Sequence, residues 1–170
     1  MEVVCDLVSV TSPGYVALML AHALCALIGF GALAATGGYS QAVKRSRNPY
    51  ASETLQRFFR PGHNLASATI VAVPLLGGAL LWTQHGADVH MLYPWLGLGA
   101  WAVAALTASL VIWPAEHRLQ QLLKESRVPS GSPEASDRAR LDALATRCLR
   151  GASITTVCFL FAFVVMIAQP

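Results

Sequence analysis

Of the residues able to do chemistry, His22 stands apart, because it is an ionisable side chain well inside a long apolar run. An ionisable group in hydrocarbon is costly to place, and a neutral imidazole is the least costly of them, so His22 asks for a reason. Two reasons fit the residue type. It ligates a cofactor such as haem or copper, or it donates to a Ser, Thr or backbone carbonyl of a neighbouring helix and fixes packing. A second group, His85, Asp88 and His90, stands together between Thr83 and Leu92 and suits copper or zinc by ligand type, or is an ordinary solvated loop. The candidate metal ligands are therefore His22, His85, Asp88 and His90, with Met19 and Met166 near the outer ends of their runs as soft ligands or as packed apolar groups. His63 and His117 lie at the opposite ends of their runs, too far from His22 to share an ion.

Other chemistry is missing. The sequence has no GxSxG, HExxH, CxxC or glycine-rich phosphate loop, and no paired carboxylates in an apolar run, so no catalytic residue is assigned. Glu116, His117 and Arg118 after Trp113-Pro114 read as a charged anchoring patch. The apolar runs hold no acidic residue, which argues against a proton-coupled or sodium-coupled transporter.

The elements that must position His22 are marked by charge. All twelve Lys and Arg fall in residues 44–60 and 118–150, and the four longest apolar stretches flank them without a single Lys or Arg. Spans are expected at about 15–38, 63–83, 93–113 and 150–168, each near the ~20 residues that cross roughly 30 Å of hydrocarbon. Cytoplasmic loops collect Lys and Arg, so both basic stretches are expected inside and both chain ends outside. Hydrophobic residues make up 55% of the chain and charged ones 12%, which excludes an ordinary soluble domain. The +3 net charge sits in the two loops and points to an anionic inner leaflet, not to nucleic acid. The expectation is a single all-α membrane domain, a four-helix bundle passing several times through the inner (plasma) membrane.

Finer signals follow. The N-terminal segment with Glu2 and Asp6 lacks the basic region of a signal peptide and is expected to be retained outside. Of four cysteines only Cys5 falls outside, so no disulfide framework arises. Gly37-Gly38 is the expected end of the first helix, Asn48-Pro49 opens a short segment to Arg60, and Pro74 is expected to kink the second span. Trp82, Tyr93 and Trp95 mark the outer interface, and Trp113 the inner one. Leu141, Leu144, Ala145 and Cys148 recur at helical spacing, so a helix from about residue 133 is expected to run into the fourth span and pack on another inward extension. Small-xxx-small stripes (Ala17, Ala21, Cys25; Ala100, Ala104, Ala108; Ala68 with Ala72, and Gly77-Gly78) allow close helix packing. At the depth of His22 this register places Gly77-Gly78, Gly99, Trp101 and Ala162, a glycine-lined gap suited to a planar ligand.

LAHALCALIGFGAL in the first span, the basic turn after it, WLGLGAW in the third, the WPAEHRLQQL exit and the final MIAQP together resemble the bacterial integral membrane protein family related to the copper-resistance CopD-like group. The resemblance covers most of the chain and implies a four-helix bundle, with copper handling in the wider group. The neighbouring HemJ-type protoporphyrinogen oxidases also carry a first-span histidine, which His22 matches, but pair it with an intramembrane lysine absent here. Three functions remain: a structural or accessory subunit that packs on itself or a larger membrane assembly, a haem-binding or copper-binding protein using His22, and an oligomeric transporter or channel.

Overall fold

The computed structural model describes residues 12–59, 67, 69–83, 90–125 and 135–168, and every element within them is helical. Helix α1 (Pro13–Arg45) is followed by a 3-10 turn (Pro49–Ala51), α2 (Glu53–Phe58), and a second 3-10 turn (Thr69–Val71) that leads into α3 (Ala72–Thr83). Next come α4 (Leu92–Thr107), a π-helical turn (Ala108–Ile112), α5 (Trp113–Glu125) and α6 (Ala135–Ile167).

Helix α1 starts where Ser12 accepts the Tyr15 N–H at 3.3 Å and Pro13 takes the first helical position, where a missing N–H is harmless. Lys44 and Arg45 occupy its last turn, where the helix dipole favours positive charge. The helix does not stop at Gly37-Gly38, contrary to the sequence expectation. Gly37 is instead a contact residue: a Cβ there would lie 2.6 Å from Cβ of Ala152 on α6. The segment expected to run from Asn48 to Arg60 is split in two. Asn48 caps the 3-10 turn through the Ala51 N–H, and Ser52 then caps α2 through the Leu55 N–H.

Three helical stretches are long and apolar enough to cross a membrane, Pro13–Arg45, Leu92–Lys124 and Ser136–Ile167, whereas the apolar stretch Thr69–Thr83 is shorter. At ~1.5 Å per residue that last stretch covers about 22 Å of the roughly 30 Å of hydrocarbon. The rest of the expected second span, residues 63–66 and 68, lies outside the described residues. The Leu92–Lys124 stretch runs through α4 and α5 as one helix with a π turn in it. Pro114 supplies the physical reason, since its ring would collide with the Leu110 carbonyl in a regular turn, and a wider turn just before it opens that space.

Helix α6 runs antiparallel to α1. The Phe30 and Phe159 rings stand 4.9 Å apart, Gly37 meets Ala152, Lys44 Nζ donates to Thr146 Oγ1 at 3.0 Å, and Arg138 donates to the Ser46 and Lys44 carbonyls at 2.7 and 2.8 Å. Those two bonds close carbonyls at the end of α1 that have no helical partner. Along α4 the same antiparallel sense holds: Gly97 meets Met166 and Gly151 meets Ile112. Helix α3 runs antiparallel to α1, with Ile70 packed on Gly29 and Val73 beside His22.

Two cores result. Phe30, Leu33, Ile70, Ala104, Ala108 and Ile112 form one within the apolar lengths. Val43, Leu55, Phe59, Leu119, Leu123, Leu141 and Ala145 form the other, beyond them, where α2, α5 and the polar half of α6 meet the end of α1. The second core bears out the expected packing of Leu141 and Ala145 on another helix extension. It also explains why α1 outlasts its apolar run.

Candidate functional site

His22 is half-buried on α1, and its Nδ1 lies 3.0 Å from the carbonyl oxygen of Val73. A carbonyl only accepts, so Nδ1 carries the proton, and in the neutral ring Nε2 is left with the lone pair. The contact depends on Gly77, because a Cβ there would lie 3.2 Å from His22 Cε1. One glycine therefore lets the imidazole lie against α3.

The segment that receives His22 is held by three more unusual contacts. Pro74 has no N–H to offer the Ile70 carbonyl four residues back, and Trp101 Nε1 on α4 donates to that oxygen instead, at 2.8 Å. Thr69 Oγ1 donates to the Cys25 carbonyl at 3.3 Å. At Gly29 a Cβ would lie 2.8 Å from the Ile70 backbone nitrogen, so backbone meets backbone there. His22, Thr69 and Trp101 thus tie α1, the 3-10 turn, α3 and α4 together through main-chain carbonyls, the polar groups most costly to leave unpaired in an apolar surrounding.

The expected glycine-lined gap around His22 is reduced to a single contact. Gly78 and Gly99 are exposed with open space at their Cβ positions, and only Gly77 faces the imidazole. Trp101 is committed to Ile70. His85 and Asp88 lie outside the described residues, and His90 is exposed. Met19 and Met166 are partly exposed, at 45% and 40%. Among the described residues no group of three or more His, Cys, Asp or Glu is placed to hold a metal ion. His63 lies outside the described residues, while His117 is exposed and takes a hydrogen bond from Gln121 at 3.3 Å.

Glu116 is the polar residue that sequence reasoning misplaced. It is buried at 3% exposure, so the charged patch divides: His117 and Arg118 face outward, and Glu116 turns inward. The signal was present in the spacing, because Ile112, Glu116, Leu119 and Leu123 follow one helical face and the three apolar ones are buried. Near Glu116 stands the buried Cys148 thiol, itself hydrogen-bonded with Ser40. Ser40 and Thr36 donate to carbonyls of their own helix, at 2.7 and 3.1 Å, as buried hydroxyls in apolar helices do. Trp113 is half-buried, with Nε1 donating to Ser67 Oγ at 3.1 Å.

The arrangement can hold helices in register and offers one imidazole nitrogen as a ligand. In comparisons with known proteins, no family model, no curated protein and no solved structure matches the chain.

Proposed function

We propose that this chain is a non-catalytic, multi-pass protein of the inner membrane, a four-helix bundle with both ends outside and both basic loops inside. It serves as a structural or accessory subunit that packs against itself or a larger membrane protein. The observation that carries this reading is the exposure of its large apolar side chains. Leu20, Leu24 and Leu27 on α1, Val103 and Leu106 on α4, and Val157, Leu160 and Val164 on α6 all stand at least half exposed. Lipid covers such faces, and so does another membrane helix. The short apolar stretch Thr69–Thr83 belongs, in this reading, to the second crossing. Trp82 and Trp95, both exposed, then mark the outer headgroup level.

A second reading is favoured by one contact. Histidines that ligate metals or haem iron commonly donate their other nitrogen to a backbone carbonyl, which fixes the ring and leaves the ligating nitrogen unprotonated. His22 has that arrangement toward Val73. It supports a haem-binding or copper-binding role, which the CopD-like resemblance also suggests. Purification in lipid, with visible absorption and elemental analysis of wild type and His22→Ala, separates the two readings. The accessory reading predicts equal content, zero included, in both. Cofactor present in the wild type and lost in His22→Ala would replace it with the ligand reading.

A further inference from the structure

A cleft of about 440 Å³ opens between the π turn with α5 on one side and α6 on the other, and Arg118, Arg147 and Arg150 line it together with Leu110, Val111 and Pro114. Its chemistry is divided along its length. Residues 110, 111, 114 and 118 form one stripe over two helical turns, and residues 147 and 150 form the facing stripe. The Gly151 contact with Ile112 fixes the register, so Arg150 lies level with the π turn. Leu110 and Val111, both exposed, then stand at the apolar end, while Arg118 and Arg147 stand at the polar end. Three guanidinium groups share one cleft, no carboxylate among the described residues lines it, and its apolar end continues the membrane-facing surface.

We propose that this cleft holds the headgroup phosphate of one anionic phospholipid of the inner leaflet, with its acyl chains lying along Leu110 and Val111. The proposal rests on the reading above that the chain spans the bilayer with its basic side inward. Phosphate is the anion that a fork of guanidinium donors fits best, and basic pockets between membrane helices on the cytoplasmic side bind such headgroups. A free phosphate would meet the arginines but leave the apolar wall unused. The amphipathic shape therefore assigns the site to lipid.

The test uses the full chain purified in detergent and titrated with dioleoylphosphatidylglycerol, dioleoylphosphatidylcholine or inorganic phosphate, with bound lipid read by native mass spectrometry. The variant carries Arg118→Gln, Arg147→Gln and Arg150→Gln. The control carries Arg45→Gln, Arg57→Gln and Arg140→Gln, three exposed basic residues outside the cleft, for the same change in charge. Phosphatidylglycerol should be retained over phosphatidylcholine, and the cleft variant should lose about fivefold in affinity per arginine, roughly a hundredfold in all, while the control keeps it. Arg150→Gln alone, should the triple variant fold poorly, should lose about fivefold. Equal retention by cleft variant and control, equal retention of the two lipids, or displacement of lipid by inorganic phosphate at matching concentration would each overturn the site. Alkaline carbonate extraction of cell membranes tests the membrane reading separately: release of the wild type into the soluble fraction sinks that reading whatever the lipid data say.

Discussion

Gly29 and Gly31 sit two residues apart on α1, and the fold treats them oppositely. A methyl group at Gly29 would lie 2.8 Å from the Ile70 backbone nitrogen and 3.0 Å from Thr69 Oγ1, whereas one at Gly31 would meet nothing within 4 Å. Replacing glycine by alanine in a helix interior gains about 0.5–1 kcal/mol from lost backbone freedom. At Gly31 that gain stands alone. At Gly29 it is opposed by overpacking, about 1–3 kcal/mol, because the colliding atom belongs to a backbone that cannot rotate away. Pushing the 3-10 turn off α1 also strains the Thr69 bond to the Cys25 carbonyl, worth about 0.6 kcal/mol by the average for polar contacts between membrane helices. Gly29→Ala should therefore destabilise by about 1–3 kcal/mol, and Gly31→Ala should stabilise by about 0.5–1 kcal/mol, a separation of roughly 2–4 kcal/mol. Reversible unfolding in mixed micelles, followed by circular dichroism as the denaturing detergent fraction rises, measures both. Equal shifts for the two variants would refute the close approach of α1 to Ile70.

Other contacts give sharper single tests. Trp101→Phe should cost about 1–3 kcal/mol by leaving the Ile70 carbonyl unpaired, and much less in a Pro74→Ala background, where the residue 74 N–H returns to that carbonyl; a double-mutant cycle showing no coupling would dismiss the exchange. Arg138→Ala removes two charge-assisted bonds to the end of α1 from a partly exposed side chain and should cost about 1–2 kcal/mol, with Arg138→Lys restoring less than half by thermal unfolding, since an ammonium lacks the guanidinium fork. If His22 is a packing donor alone, His22→Ala should cost about 0.6 kcal/mol in the same unfolding assay and leave the visible spectrum unchanged.

Much of this architecture was legible because charge is expensive to hide in hydrocarbon. The gaps between Lys/Arg clusters located the apolar lengths of α1, α4 and α6, and the spacing of Leu141, Ala145 and Cys148 gave the polar extension of α6. What stayed illegible depends on partners far away in sequence. Gly37-Gly38 carries the same local signal whether it ends a helix or admits Ala152 of another helix, and only the packing tells them apart. The pairing of Trp101 with the carbonyl that Pro74 leaves open is of that kind too, as is the choice of Val73 as the acceptor for His22. Glu116 was misread for a different reason: its charge outweighed its place in the Ile112–Leu119–Leu123 face, and a buried carboxylate is not expected at the end of an apolar helix.

Three stretches are long and apolar enough to cross a membrane, and the central proposal adds a fourth crossing through Thr69–Thr83 with both basic segments inside. Cysteine accessibility in a cysteine-free background measures it directly, with single cysteines restored at Cys5 or placed as His85→Cys and Ser130→Cys. An impermeant maleimide should label Cys5 and His85→Cys in intact cells, and Ser130→Cys only after the membrane is permeabilised. Labelling of Ser130→Cys in intact cells, or protection of Cys5 until permeabilisation, would contradict the four-crossing account.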